Sequence, residues 1–276
     1  MINSRNQLIS IILPVYKMNL DEFEYISIRR AISILSNHPL ILVCSNSLNI
    51  EKYMSEYDQF LVERFHDSFF ESIDGYNRLM MSRGFYKRFL NYKYILIYQL
   101  DAYVFRDELN YWCSLNLDYI GAPIVTSSEF EGTASIKYLK GRNGGLSLRK
   151  TRSHYNSFNY YLILKIVKWM FETWEQSKHI KSHTTIKPIN FLVTCLLKAL
   201  KQSSNIEKIQ MNEDGYWSIV VPCVNWKFRV ADVDQAMRFA FEKNPDVLFK
   251  MTNFQLPFGC HAWQKYNSSF WKRYIK

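Results

Sequence analysis

The residues most able to do chemistry in this chain are a single carboxylate and its neighbours at the end of a predicted strand. Residues 94–105 read YILIYQLDAYVF, and the apolar run Tyr94–Tyr98 is typical of a strand buried on both faces of a sheet. Asp101 follows that strand. Ligands of open α/β sheets collect outside the carboxyl ends of the strands, so Asp101 could hold a divalent metal or a sugar hydroxyl. The alternative is that it only caps the turn after the strand.

Four polar clusters at predicted element boundaries are the other candidates. They are residues 99–103 (QLDAY), 141–149 (GRNGGLSLR), 212–218 (NEDGYWS) and 257–263 (PFGCHAW). In the second cluster, Gly144 and Gly145 would let the backbone approach a ligand closely, although a tight turn would explain them equally well.

Two carboxylates and one histidine in these clusters could act on a substrate. Glu213 and Asp214 follow Asn212 and suit a helix N-terminus, where carboxylates favour the helix dipole. Their functional interpretation is a general base that takes a proton from a sugar hydroxyl. His261 could be a metal ligand or a phosphate donor, and a structural role is its alternative.

Length and periodicity predict the architecture. The 276 residues, 48% hydrophobic and 22% charged, suit one large α/β domain over residues 1–276 with a helical insertion at about 155–205. Alternating strand and helix patterns in the first half predict a mainly parallel sheet covered by helices. We expect strands at about 8–13, 39–44, 59–65, 94–98, 119–122 and 145–148, and helices at about 20–35, 74–92, 157–177, 188–201, 214–221 and 232–241.

Charge indicates the class of partner. The net charge of +10 and the pI of about 9.2 predict an anionic partner. Basic and aromatic residues mix between positions 137 and 187, which suits an anionic inner membrane surface or a phosphorylated substrate; a solvated basic face is the alternative. We find no helix-turn-helix, zinc-finger or aromatic RNA-binding signature, so we expect no nucleic acid.

The cysteines indicate the compartment. The five cysteines are scattered singly without CxxC spacing, and the apolar run from Leu8 is too short to span a bilayer. We therefore expect reduced thiols in a cytoplasmic protein.

Several segments together resemble a known family. They are residues 76–113, DYIGAP at 118–123, GRNGGLSLRK at 141–150, NEDGYWS at 212–218 and PFGCHAWQKY at 257–266. The chain resembles an uncharacterised bacterial family of capsule and O-antigen loci (domain of unknown function family 5672), regarded as glycosyltransferase-like. The resemblance implies a GT-A-like (Rossmann-like) sheet flanked by helices. It also implies transfer of a sugar from a nucleotide-sugar donor to a glycan or lipid-linked acceptor, at the inner face of the plasma membrane.

The resemblance assigns roles to the metal and to the base. Asp101 resembles a member of the acidic motif that binds the metal, Mn²⁺ or Mg²⁺, bridging the donor diphosphate, but the usual second acid two residues on is Tyr103 here. His261 could complete that site, or basic residues of the 141–150 segment could neutralise the diphosphate instead. Asp214 resembles the catalytic base of inverting enzymes, and Glu213 is the alternative base.

The remaining predicted roles are in substrate binding. Trp217 and Trp263 could offer apolar surfaces to acceptor sugar rings. The missing second acid also leaves open a non-catalytic sugar-nucleotide or glycan-binding module, and the charge leaves open a basic peripheral membrane scaffold. The predicted donor-binding residues are Pro14, Tyr16, Tyr76, Asn77, Arg78, Gln99, Asp101, Arg142, Asn143, Gly144 and Gly145.

Overall fold

A mainly parallel six-stranded sheet forms the centre of the fold. The computed structural model describes residues 7–130, 133–157 and 212–275, apart from the side chains of 126–141. Its strands are β1 (Gln7–Pro14), β2 (Leu40–Ser45), β3 (Phe60–Phe65), β4 (Tyr92–Tyr98), β5 (Ala102–Val104), β6 (Tyr119–Phe130), β7 (Thr133–Lys150), β8 (Ala240–Phe241) and β9 (Gly259–His261). The central sheet has the order β3-β2-β1-β4-β7-β6.

Strands β1 to β4 are parallel, whereas β7 runs antiparallel to both β4 and β6. Alternate residues of the central strands face opposite sides, since Leu96 packs in one core cluster while Ile95 and Ile97 pack in the other. Helices cover both faces, which is why these strands are apolar throughout. The predicted mixed α/β class with a mainly parallel sheet is confirmed.

Five helices begin at a short polar side chain that accepts a backbone N–H of the first turn, namely Asp21, Ser72, Ser82, Asp232 and Asn267. The structure has helices at Glu22–Leu35, Glu51–Glu56, Ile73–Met80, Arg83–Arg88 and Leu109–Ser114, at 151–157, along a continuous stretch of Glu213–Gly215, Tyr216–Val220 and Val221–Val224, and at Val233–Phe239, Pro245–Met251 and Ser268–Trp271. A short 3-10 turn covers Asp67–Phe69.

The single helix predicted over 74–92 is wrong. The chain forms Ile73–Met80 and Arg83–Arg88 instead, because the Ser82 hydroxyl accepts the backbone N–H of Phe85 at 3.1 Å and starts a second helix. Serine competes well for such a cap position. The predicted helices at 157–177 and 188–201, and with them most of the predicted insertion, lie outside the described residues.

The last two predicted strands are longer than expected. β6 and β7 pair as one long antiparallel unit, with register shifts between Gly121, Pro123 and Val125. The predicted helix at 232–241 ends at Phe239, and Ala240–Phe241 forms β8.

A small second sheet, which the sequence pattern did not predict, has the order β5-β9-β8. Ala102 of β5 pairs with His261 of β9, and Phe241 of β8 pairs with Cys260. This register sets Asp101, which precedes β5, and Glu242, which follows β8, on either side of His261.

Among the helices that the structure describes, none has the length and apolar character needed to cross a membrane.

Candidate functional site

The candidate site lies beyond the carboxyl end of β4, where the two sheets meet. The backbone N–H of Gln99 donates to the carbonyl of Gly145 at 2.9 Å, and the N–H of Ala102 donates to the carbonyl of Gln99 at 2.8 Å. The turn that carries Asp101 is therefore tied to β7 on one side and, through the Ala102–His261 pairing, to β9 on the other.

His261 is the centre of a compact polar group. Its Nε2 lies 3.0 Å from Asp101 Oδ1 and 3.0 Å from Gln99 Oε1. Its Nδ1 lies 3.6 Å from Glu242 Oε1, which is an ion-pair distance. Burial lowers the pKa of His261, but Asp101 and Glu242 outweigh it and raise that pKa to about 9. Burial raises the pKa of Asp101, and the contact with His261 outweighs it and lowers that pKa.

Glu242 is a site residue that the sequence pattern did not predict. This carboxylate directly follows the buried run 239–241, as Asp101 follows β4, and the same argument would have found it had β8 been recognised. Because β8 and β9 run parallel in register, the small sheet places it beside His261.

Glu213 forms a buried ion pair. Its Oε1 accepts from Arg149 Nη2 at 2.9 Å, and Arg149 has none of its side chain exposed. Arg149 also donates to Ser147 Oγ at 2.9 Å, to the Tyr86 hydroxyl at 3.0 Å and to the Gly144 carbonyl at 3.2 Å. A fully buried guanidinium cannot reach a diphosphate in the cleft, so this pair has a structural role.

Asp214, the next residue, has a different environment. It is partly exposed, and its Oδ1 accepts the backbone N–H of Gly215 at 2.7 Å. Burial raises the pKa of Asp214 to about 6, and the negative charge of Glu213 and then of Glu242 acts in the same direction. A carboxylate with a pKa near neutrality can both hold and release a proton at working pH. Two adjacent acids with different environments suit two different roles.

The adjacent glycines Gly144 and Gly145 both face site groups. A Cβ at Gly144 would lie 2.0 Å from Glu213 Oε1, and a Cβ at Gly145 would lie 2.0 Å from His261 Nε2. Close approach, rather than a tight turn, therefore explains this pair. Asn143 supports it, since its Oδ1 accepts the Gly145 N–H at 2.8 Å.

The predicted cation at Arg142 needs correction. Its guanidinium is buried and donates to the carbonyl of Ala231 at 2.6 Å, while its backbone N–H donates to Ser218 Oγ at 3.0 Å. Burial also lowers the pKa of Arg142. This side chain joins β7 to the C-terminal part of the chain through Ala231.

Three other predicted donor-binding residues, Tyr76, Asn77 and Arg78, differ in their burial and contacts. Asn77 is nearly buried, and its Oδ1 accepts the Glu213 N–H at 3.3 Å. The Tyr76 hydroxyl is buried, and burial raises its pKa, which a hydrogen bond with the Gln99 side chain partly offsets. Arg78 lies on the surface and pairs with Asp74.

The end of β1 lies on the same side as Asp101. Pro14 is buried, whereas Tyr16 is 60% exposed and donates to Glu24 Oε1 at 3.3 Å. Burial raises the pKa of Tyr16, and the charge of Asp101 contributes to the increase. Because β1 and β4 are parallel, Pro14 and Tyr16 lie at the same edge of the sheet as Asp101.

The two predicted acceptor-binding tryptophans also need correction. Trp217 is 1% exposed, and its indole N–H donates to the carbonyl of Met80 at 3.1 Å. Trp263 is 6% exposed and packs edge-on against Phe23 with ring centroids 5.4 Å apart. Both rings belong to the core, so neither presents an open face to a sugar.

Asp101 Oδ1 and His261 Nε2, atoms of the two predicted metal ligands, lie next to each other. Two ligands at right angles on an octahedral ion, each about 2.1 Å away, lie about 3.0 Å apart, which matches the 3.0 Å between Asp101 Oδ1 and His261 Nε2. A Cβ at Gly145 would lie 2.0 Å from Nε2, so the His261 ring occupies the space that a side chain at this position would take. However, no three His, Cys, Asp or Glu side chains of the described residues converge as a metal site.

Residues 59–261 match the family described as a protein of unknown function (DUF5672). Because this match covers well over half of the 276 residues, the chain belongs to that family, as its motifs predict. None of the curated proteins compared with the chain matches its sequence.

Several solved structures resemble the chain. The apo form of the glycosyltransferase GlyE from Streptococcus pneumoniae TIGR4 is 12% identical with a TM-score of 0.43, and the match covers 98% of this chain but 60% of GlyE. A glycosyltransferase involved in glycosylation of the major capsid of PBCV-1 is 10% identical with a TM-score of 0.43, with 97% and 98% covered. A 4-diphosphocytidyl-2C-methyl-D-erythritol synthase is 10% identical with a TM-score of 0.34, with 55% and 79% covered. At these values the resemblance supports no conclusion about activity.

Proposed function

We propose that this protein is a glycosyltransferase that moves a sugar from a nucleotide-sugar donor to a glycan or lipid-linked acceptor. The observation that carries the proposal is Asp214, a partly exposed carboxylate whose pKa burial raises to about 6. Asp101 and His261 pair at the edge of the sheet where α/β proteins bind ligands. A general base and a diphosphate site are the two parts that such a transfer needs.

The mechanism we propose is a direct displacement. Asp214 removes the proton from an acceptor hydroxyl, and that oxygen attacks the anomeric carbon of the donor sugar. The new carbon–oxygen bond forms as the bond to the diphosphate oxygen breaks, and the departing diphosphate keeps the electron pair. One displacement inverts the anomeric configuration.

Asp101 and His261 would hold the divalent ion, Mn²⁺ or Mg²⁺. When bound, the ion would act as a Lewis acid that offsets the charge of the departing diphosphate. The side chain of Asp101 is about one third exposed, so it can meet a ligand from solvent.

The proposals for the acceptor and for the location of the protein rest on the family resemblance and on the net charge. The family resemblance favours surface polysaccharide synthesis on the cytoplasmic side of the inner membrane. The net charge of +10 supports attraction to an anionic membrane surface. The basic and aromatic stretch that would make this contact lies largely outside the described residues.

The test is nucleotide release from a panel of UDP-, GDP- and dTDP-sugars, with and without a chelator. Wild type should release one nucleotide above buffer hydrolysis, and Asp214→Asn should lower that rate by about two to four orders of magnitude. NMR of the product should show inverted configuration, and a retained configuration would discard direct displacement.

A binding module without catalysis is the second candidate, because Tyr103 stands where the family resemblance expects an acid and is buried. Such a module would bind a nucleotide sugar in a thermal-shift screen and release no nucleotide.

A further inference from the structure

A cavity of about 420 Å³ lies outside the candidate site. It is enclosed by the helices Leu109–Ser114 and Val233–Phe239 and by the segment 251–256. Its volume falls within the range of ~300–1,000 Å³ that is usual for pockets that bind small molecules. The mechanism proposed above uses no residue of this cavity.

The cavity and the polar group around His261 lie at opposite ends of the small sheet. Arg106 follows β5 and Leu256 precedes β9, and both residues line the cavity. Asp101 and His261 lie at the other end of the same two strands. A three-residue strand rises about 7 Å between its first and last Cα atoms, so the two places are separate.

The indole of Trp112 is a fixed hydrogen-bond donor in the wall of the cavity. Trp112 is 2% exposed, and its ring packs edge-on against Phe239, with centroids 5.2 Å apart, and against Tyr111 at 4.9 Å. Its N–H is buried and has no hydrogen-bond partner among the residues that the structure describes. Leaving a buried donor unpaired is unfavourable, and an oxygen of a ligand in the cavity would supply the acceptor.

The rim of the cavity offers an aromatic ring and two amides. Tyr111 is 52% exposed, and Asn253 and Gln255 are exposed as well. The backbone between the two amides is fixed, because the N–H of Phe254 donates to the carbonyl of Phe249 at 2.8 Å. Amides both donate and accept hydrogen bonds, as sugar hydroxyls do, and a tyrosine ring combines an apolar face with a polar tip.

The formal charges of the lining cancel. Arg106 donates to Glu108 and to the carbonyls of Pro257 and Leu256, at 3.1 and 3.2 Å, so its guanidinium fixes the wall of the cavity. A lining without net charge does not select an anion or a cation, and it suits a neutral ligand with many hydroxyls. The charged residues of the lining are two cations and two acids: Arg106, Arg238, Glu108 and Asp234.

We propose that this cavity binds one saccharide unit of a glycan, at a place separate from the transfer site. A sugar hydroxyl accepts the Trp112 N–H, other hydroxyls pair with the amides, and the apolar face of the sugar ring packs on Tyr111. That this glycan is the acceptor rests on the proposed function. The cavity would then provide the contact with acceptor sugars that the buried rings of Trp217 and Trp263 do not offer.

The test measures saccharide binding by the purified full chain without nucleotide. The probes are short oligosaccharide fragments of bacterial surface polysaccharides, titrated by saturation-transfer difference NMR, and inorganic phosphate as the probe for an anion site. The variants are Tyr111→Ala and Trp112→Phe. The matched controls lie outside the cavity: Trp226→Ala changes an aromatic residue that is 85% exposed, and Trp271→Phe changes a buried indole whose N–H also lacks a described partner.

At least one fragment should bind to wild type, and each cavity variant should weaken its binding by about threefold to tenfold, the effect of one lost hydrogen bond or ring contact. Trp226→Ala and Trp271→Phe should bind as wild type does, and circular dichroism would confirm that each variant is folded. The proposal is overturned if no fragment binds, or if Tyr111→Ala and Trp112→Phe both bind as wild type does. Phosphate binding that the cavity variants weaken would also overturn it, because the cavity would then be an anion site.

Failure of this inference can be distinguished from failure of the proposed function. The fragment that binds best is offered as acceptor in the nucleotide-release assay, where the cavity variants should raise KM for the acceptor and leave kcat unchanged. If the fragment binds in the cavity but wild type releases no nucleotide from any donor, the proposed function is wrong and the glycan site stands. If wild type releases nucleotide and both cavity variants keep its acceptor KM and its saccharide affinity, only this inference is wrong.

Discussion

Replacing Asp214 with asparagine should make the protein more stable and much less active. The site holds this carboxylate in a place that disfavours its charge, because burial and the neighbouring Glu213 raise its pKa from the usual 3.8 to about 6. The change is nearly isosteric, and the asparagine Oδ1 can still accept the Gly215 N–H that Asp214 accepts at 2.7 Å. A charge is therefore removed while the hydrogen bond is kept.

The magnitude follows from the difference in pKa. A shift of about two pKa units corresponds to about 3 kcal/mol at full ionisation, and partial exposure of Asp214 reduces this to about 1–3 kcal/mol. The folded chain keeps the Asp214 proton to a higher pH than the unfolded chain does. Stability therefore falls as pH rises from about 4 to about 6 and stays lower above that range. The Asp214→Asn variant has no carboxylate at this position, so it does not lose this stability as pH rises.

The assay is urea unfolding of wild type and Asp214→Asn at about pH 5 and pH 8. The variant should unfold at higher urea at both values, and the difference should be about half as large at pH 5. The same variant should lose two to four orders of magnitude in the rate of transfer, with little change in nucleotide affinity.

A matched control is Asp234→Asn, since Asp234 is an exposed acid in the first turn of Val233–Phe239. The Asp234→Asn variant should have a free energy of unfolding lower by about 0.3–1 kcal/mol, because an exposed acid in the first turn interacts favourably with the helix dipole. If Asp214→Asn instead loses stability at pH 8 and transfers sugar normally, Asp214 is an ordinary helix-start residue and the assignment of the base is refuted.

Three further predictions concern other residues of the candidate site and its surroundings. Gly144→Ala should lower the free energy of unfolding in urea by about 3–5 kcal/mol, because the new Cβ would displace the buried carboxylate of Glu213. The control is Gly84→Ala, which has open space around its Cβ and should leave stability unchanged or raise it by up to about 1 kcal/mol. Glu213→Gln should cost a similar 3–5 kcal/mol, because it leaves Arg149 buried without its charged partner; a fully stable variant would contradict this. Asp101→Asn should abolish nucleotide release at limiting donor and metal while circular dichroism shows that the variant is folded, and wild-type turnover would remove Asp101 from the site.

Patterns local in the chain were sufficient to predict much of the central sheet. Leu40–Ser45 and Tyr94–Tyr98 are continuous apolar runs because both faces of these strands are covered, and that burial is visible in residue type alone. The position of Asp101 after β4 followed from the same reasoning. The break at Ser82 did not, because a single side-chain hydrogen bond ended one helix and began another within an otherwise helical pattern.

Only the tertiary structure decided which polar residues meet. Gln99 and His261 are 162 positions apart and touch because β5 and β9 pair in one register, a long-range contact that no local pattern encodes. Glu213 and Asp214 are adjacent and chemically alike in sequence. One is buried against Arg149 and the other is partly exposed, so the surroundings, rather than the residue type, separate a structural acid from a candidate base. Trp217 is likewise buried in the core. Residue type alone could not show this, because whether an aromatic ring faces a ligand depends on which residues pack over it.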